Sequence, residues 1–557
     1  MSRWERPAGP NDEVASIGGD TAFIGMDQKT RDPAQMMTGW YQEGYNLRLE
    51  NGGMATRKGG VCPATFNSAQ YGQIYGVGIY SDPNGLEWLA LANANGVWFA
   101  RDGEAPQFLP MSDKIDYTVE FSQAFNIFFM WRGPTMTPLM WKGDWSVYWQ
   151  PLPDPPDTTR KVMPNAVTAE TFANRILAPH DRDSIAISDI GEAYYQWTTN
   201  DFRVNFGEAD TLVRVFPWVQ ETVICFKQHS IYQLSNVSGD LSATTLQKLP
   251  GTLGLAGVKA VTAVSGDILF MDSSGVYKIS QVFEGSPQAG SLPVSDAIKP
   301  LISSINWNAA AGIRAEHRRE RVYFAVPLQN ATRNSALLVY NLLSASWESI
   351  DTFGDPNFRI DDLVKTNYIG ERRLFAIDRE KGLVVLLEQG RTDLLGNNVE
   401  REFQIQFGVL TRGYLGPGPR SSFPRVGIDM ATWNPSFSVE AFVDGSNAKT
   451  LIEDRTKDRT KYEVFGRPNW DPTNSKDDHA TARRKDYSVG FQTPLDGFML
   501  GYNGIQVERE QEVTERFPID MTGRYCQFRI ENSVGSVGIR SVILEDNEDQ
   551  REPRHQI

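Results

Sequence analysis

The sequence predicts an all-β protein built on a β-propeller, and three observations carry that prediction. First, 48 Gly, 31 Pro and 11% aromatic residues, with few long Ala/Leu/Glu/Lys stretches, favour short strands joined by turns over helices. Second, one hairpin unit recurs along the chain. Its clearest copy is Val258 to Ile279, VKAVTAVSGDILFMDSSGVYKI, where Ile268 to Met271 and Val276 to Ile279 flank the turn Asp272-Ser-Ser-Gly275. Third, turn centres at 96, 133, 180, 229, 274, 331 and 381 are separated by 37, 47, 49, 45, 57 and 50 residues. A four-stranded propeller blade takes about 40 to 50 residues and buries its faces only by stacking on neighbours, so seven blades are expected. Unrelated sheets of hairpins are the competing explanation, because generic alternation also produces hairpins.

Taken in order, residues 1 to about 40 carry Gly, Pro, Asn and Asp without periodicity and read as an extended N-terminal arm. Gly44 to Gly60, GYNLRLENGGMATRKGG, reads as an early hairpin in which Tyr45, Leu47 and Leu49 alternate with polar residues and Asn51-Gly52-Gly53 turns the chain. The propeller is assigned to residues 41–390. The units are Trp88 to Ala100, Ile127 to Trp141, Ile176 to Ile187, Val223 to Leu234, Ile268 to Ile279, Val322 to Tyr340 and Leu374 to Leu387. Between the fifth and sixth, SDAIKPLISSI (Ser295 to Ile305) has helical spacing, with Ser295 as candidate N-cap and Pro300 confining the helix start to about Lys299. Residues 391–557 read as a second β domain, sandwich-like. Phe403, Ile405 and Phe407, Val426 to Met430, Phe437 to Val443 with an Asp444-Gly445 turn, Tyr487 to Phe491, Tyr525 to Ile530 and Val537 to Leu544 are its strands. A charged loop is expected at about 453–485 and a solvated, acidic tail at the end.

Charge and motifs exclude several classes of function. A net charge of -14 and a pI near 5.1 do not suit tight binding of nucleic acid or anionic lipid. No apolar run approaches a membrane span, and the polar first residues do not resemble a signal peptide, so membrane insertion and classical secretion are not expected. Cys62, Cys225 and Cys526 are far apart and read as buried thiols, consistent with assembly in a reducing cytoplasm. His180, His229, His317, His479 and His555 form no metal-binding spacing, and no nucleophile elbow, P-loop or dinucleotide motif occurs. No catalytic, cofactor-binding or metal-binding residue is therefore assigned, and the chain is not expected to be an enzyme. Asp181, Asp183 and Asp189 are the carboxylates a glycan-cleaving propeller would need in pairs, but Asp-capped turns explain them as well. The basic clusters HRRER (His317 to Arg321) and RRK (Arg483 to Lys485) carry acidic neighbours and read as salt-bridged surface. WKGDWSVYW (Trp141 to Trp149) reads mainly as packing between blades.

Several strings in order resemble the tail nozzle proteins of short-tailed bacteriophages, of the tail tubular protein B or packaged-DNA stabilisation type. These are GYNLRLENGGMATRKGG, FANRILAPHDRDSIAISDIG, SGDILFMDSSGVYKIS, RRERVYFAVP and ALLVYNLLSASWESID. The resemblance covers about Gly39 to Gly390. It implies a structural protein of the virion tail, assembled in the host cytoplasm, that forms a ring, usually a homohexamer, below the portal and head-to-tail adaptor. Such a ring docks tail fibre, spike or needle proteins and retains, then conducts, double-stranded DNA. An acidic lumen would let phosphates slide. The alternative is a receptor- or glycan-binding propeller, with or without glycan cleavage, on a phage tail or cell surface.

Overall fold

The computed structural model describes residues 16–465, apart from 68–70, 206, 208, 220, 282–286, 290–291, 397–401, 446–447 and 457–460, and residues 505–545 apart from 510. It is nearly all β, and its contacts divide the chain into two units: residues 58–403, and residues 1–57 with 404–557.

Residues 58–403 form the propeller. Six four-stranded antiparallel blades follow one another: Gly76–Pro110, Glu120–Pro151, Glu170–Arg203, Leu212–Lys248, Val261–Ala289 and Arg314–Asp351. A seventh sheet, Asp362–Leu386, has three strands of its own, and Val61 bridges its last strand at Leu386. Each of the seven turns read from the sequence lies between the second and third strands of its sheet. They are numbered here as blades 1 to 7.

Why these strands read as unbroken apolar runs is clear from their packing. Successive side chains point to opposite faces, and in a propeller both faces meet a neighbouring blade. In blade 2, Phe128 and Met130 pack with Tyr80 and Phe99 of blade 1, whereas Phe129 and Trp131 pack with Ile176 and Ala178 of blade 3. Blade 7 splits the same way. Leu374 and Ala376 join Tyr323 and Leu337 of blade 6, while Phe375 and Ile377 join Leu89 and Leu91 of blade 1. The last of these clusters closes the ring of blades.

The boundaries differ from those expected. The hairpin of Leu47–Glu50 and Gly53–Thr56 forms as read, with Asn51 and Gly52 at positive φ, but it belongs to the other unit, where Gly53 to Thr56 pairs with Gly538 and Ile539. The propeller instead begins at the segment that closes it. Val61 and Leu386 exchange both amide hydrogen bonds, Cys62 N donates to Leu394 O, and the Asp393 carboxylate accepts from Gly60 N at 2.9 Å. Residues 391–396 thus serve the propeller, because closing a ring takes chain from both of its ends.

Among the described residues the second unit is one large curled sheet rather than a sandwich, with Lys461–Phe465 and Ile505–Arg509 paired apart from it. Its long strands Ser421–Val443 and Tyr525–Glu545 pair along most of their length, and each takes different partners at different points. Alternation showed which face is buried but not how many sheets share the strands. Val537 to Leu544 and Tyr525 to Ile530 are two parts of one strand. Ser421–Val443 runs through Pro424 and Pro435 because the register shifts at both, where an amide donor is missing. The N-terminal arm is also part of this sheet: Ser16–Asp20 pairs with residues 542–545, and Gly25–Met26 with Trp40 and Tyr41. It lacked alternation because Gly19 must approach backbone; a Cβ there would lie 2.4 Å from Val542 O. Of the expected charged loop, Lys449–Thr456 and Lys461–Phe465 are strands. The remainder, Tyr487 to Phe491 and the acidic tail lie outside the described residues.

The helix spans Lys299–Ser303, beginning where Pro300 allows. Ser295 does not cap it; its hydroxyl accepts the Val276 amide of blade 5 at 2.9 Å.

Candidate functional site

Each blade's first strand lies innermost, and charged residues at or near the start of these strands meet on the propeller axis. They are Glu120 in blade 2, Glu170 in blade 3, Arg214 in blade 4, Lys259 just before blade 5, Arg314 in blade 6 and Asp362 in blade 7. In blade 1 the position is Gly76, where a Cβ would stand 2.3 Å from Val119 O, so no side chain fits.

The charges pair across the axis. Lys259 Nζ reaches Glu120 at 2.7 Å and Asp362 at 3.0 Å, joining blades 2, 5 and 7. Arg379, which follows the second strand of blade 7, donates to Asp362 at 2.8 Å, and the Arg314 guanidinium lies 3.6 Å from the same carboxylate. Arg214 holds Glu170 and donates to Val258 O. Asp362 is 1% exposed. Burial raises its carboxyl, but the Lys259, Arg379 and Arg314 charges outweigh burial and hold it well below the usual carboxylate range. Burial lowers the Arg314 guanidinium against the pull of Asp362.

A cavity of about 680 Å³ opens at one mouth of the axis, lined by Tyr75, Asp116, Tyr117, Arg333, Asn334 and Glu380 among others. Arg333 binds Asp361, Asp378 and Glu380, and the Asp361 hydrogen bond, opposed by burial, leads in raising its guanidinium above the usual range. Asn334 donates to Gly312 O and Ile360 O, but its Oδ1 and the buried Tyr117 hydroxyl have no hydrogen-bond partner.

The residues singled out in the sequence lie elsewhere. His180 stands between Asp201, at 3.0 Å from Nε2, and Asp181, at 3.1 Å from Nδ1; Asp201 also pairs with Lys161. Asp183 pairs with Arg182 and Asp189 with Arg160, so the three candidate carboxylates take separate partners. The His229 amide donates to Asp210. Burial, then Lys365, lowers the His317 imidazole. His479, His555 and Arg483 to Lys485 lie outside the described residues. Trp141 and Trp149 are core, whereas Trp145 and Tyr148 are exposed. Cys62, Cys225 and Cys526 are all buried, and among the described residues no group of three or more His, Cys, Asp or Glu is arranged to hold a metal. No helix among them is long and apolar enough to cross a membrane.

Sequence reasoning missed the axial cluster because its members lie up to 259 residues apart (Glu120 to Arg379). The available signal was a charged residue at a similar place in successive repeats, just ahead of the first strand or within its first three residues.

No family model matches the chain, and neither does any curated protein. Solved structures similar to it include the CNH domain of AfRom2, at 11% identity and TM-score 0.36 over 60% of this chain and 98% of that one. The extracellular domain of the putative hybrid two-component system BT3049 from B. thetaiotaomicron is similar at 8% identity and TM-score 0.41, over 70% and 48%. Virginiamycin B lyase from Staphylococcus aureus follows at 12% identity and TM-score 0.37, over 57% and 96%. The chain is a β-propeller protein with an added curled sheet.

Proposed function

We propose that this chain is the nozzle subunit of a short phage tail: a non-catalytic structural protein that forms a ring and passes double-stranded DNA along the ring's axis. The observation that carries the reading is the ion pairing across the propeller axis. Glu120, Lys259 and Asp362 join three blades across the space that an open tunnel would need. A propeller filled in this way is a block suited to a wall, and DNA would run beside it. The ordered run of segments resembling nozzle proteins supports the same reading. The partners on this reading are further copies of the chain, the adaptor and the fibre or spike proteins. The test is the mass of the full-length protein by light scattering, with imaging of any assembly. A ring with an open, acidic lumen is expected; a persistent monomer, or a ring with a strongly basic lumen, overturns the proposal.

A second reading, a receptor- or glycan-binding propeller, is favoured by one feature. The mouth cavity presents Asn334 Oδ1 and the Tyr117 hydroxyl without partners, next to charged Asp116, Arg333 and Glu380. Polyhydroxylated ligands supply donors and acceptors of this kind. An oligosaccharide thermal-shift screen separates the readings: a stabilising glycan whose effect is lost in Asn334→Ala supports this one.

A further inference from the structure

On blade 6 the first turn carries Arg318 and Arg319, and on blade 7 the equivalent turn carries Ile369, Gly370 and Glu371. Three guanidinium groups converge on the single Glu371 carboxylate. Arg319 binds Oε1, Arg373 binds Oε2 at 2.7 Å, and Arg318 Nη2 lies 3.5 Å from Oε1 without a hydrogen bond. The Arg318 side chain is only 9% exposed. Its Nε and Nη2, which form one edge of the guanidinium, and Arg373 Nε are buried with no acceptor. Unpaired buried donors are costly, and charged ones more so. One carboxylate thus leaves two positive charges uncompensated and three N–H groups unmet. The neighbouring charges do not close this deficit: Glu316 is taken by Lys365, Glu87 by Arg372, and Glu320 and Glu348 by Arg321.

We propose that Arg318, Arg319 and Arg373 form an oxyanion site for a phosphate group, in which Glu371 is a displaceable stand-in. A phosphate carries about -1.5 to -2 charge and three strong acceptor oxygens, which match the surplus charge and the three open donors; a carboxylate has only two oxygens. Glu371 is able to leave, because it is partly exposed and follows a two-residue tip, Ile369-Gly370, at positive φ. The phosphate is a free ion or a phosphomonoester; a backbone phosphodiester of DNA, with one charge and two free oxygens, resembles the carboxylate it would displace and is expected to compete poorly. The site does not depend on ring assembly.

The test uses the full chain titrated with inorganic phosphate by calorimetry, with acetate as control and a short DNA duplex as competitor. Saturable phosphate binding is expected, about tenfold weaker in Arg319→Gln and in Arg373→Gln. Arg319 is 63% exposed, so its substitution leaves folding intact. Glu371→Gln removes the competing charge and is expected to tighten binding. The duplex is expected not to compete; displacement by duplex would overturn the match of charge and oxygen count. Absence of saturable binding, binding unchanged in both arginine variants, or equal binding of acetate overturns the proposal.

Discussion

Lys259 and Asp362 meet at 3.0 Å although one stands before blade 5 and the other opens blade 7. Asp362 is the anchor of the axial cluster, since Lys259, Arg379 and Arg314 all address it. Replacing it by Asn keeps the shape and leaves three cations with Glu120 as the nearest remaining anion. Removing one member of a buried ion network costs about 3–5 kcal/mol, because the surviving charges stay desolvated. Asp362→Asn is expected to lower the unfolding free energy by that amount, read as a fall in the urea midpoint with an unchanged m-value. A loss below about 1 kcal/mol would mean that the cluster does not hold the blades together.

The same carboxylate sets a pH dependence. Its folded pKa is depressed, so its contribution is complete above the unfolded value of about 3.9 and is lost as pH falls towards the folded one. The stability gap between the native chain and Asp362→Asn should therefore be flat from about pH 7 to 5 and narrow below about pH 4. Chemical denaturation at stepped pH checks this. A gap that narrows on the alkaline side instead would assign the effect to another group.

The propeller repeat was legible because each turn between second and third strands carries Gly, Pro, Asn, Asp or His between two apolar runs, as in Asp272-Ser-Ser-Gly275. That turn serves fold geometry: the Asp272 carboxylate accepts Ser274 N and reaches back to Gly254 N at 3.0 Å. What the sequence hid was everything decided by distant pairing. Glu120 and Lys259 look like surface charges until the ring closes and places them opposite each other. The hairpin at Leu47 was readable as a hairpin, but its membership in the curled sheet depends on Gly538 and Ile539, nearly the whole chain away. HRRER has the composition of a salt-bridged surface, yet Arg318 is nearly buried and incompletely paired.

Cys225 lies within the blade 3 and 4 cluster, and burial pushes its thiol up to about 12; burial does the same to Cys526. Only the thiolate reacts with disulfide reagents. Neither cysteine should be labelled in the native protein at pH 8, and both should be labelled once urea unfolds it. Rapid native labelling at Cys225, located by mass spectrometry, would show that blades 3 and 4 separate readily.

Gly254 tests the packing of the connection into blade 5. A Cβ at this position would lie 2.0 Å from Gln228 O and 2.2 Å from Gln228 C, both backbone atoms of the blade 4 turn. Because no flexible side chain is available to give way, Gly254→Ala forces the turn to move, at a cost of about 1–3 kcal/mol. The thermal midpoint should fall accordingly, whereas Gly239→Ala, where nothing stands within 4 Å, should leave it nearly unchanged.

Ring closure makes the last prediction. Blade 7 has only three strands of its own, and Val61 occupies the fourth position by donating to Leu386 O at 2.9 Å and accepting from Leu386 N at 2.7 Å. Val61→Pro deletes the donor and leaves Leu386 O without that partner, while Gly60 and Cys62 still bond to Leu394 and Asp393. An unsatisfied buried acceptor costs about 1–3 kcal/mol. The loss should be local first: amide exchange should accelerate at Leu386 and along Leu383–Leu386, well before it does in blade 3, where no chain end takes part. Uniform acceleration across all blades would show instead that the propeller opens as a single cooperative unit and that the closing bridge has no separate role.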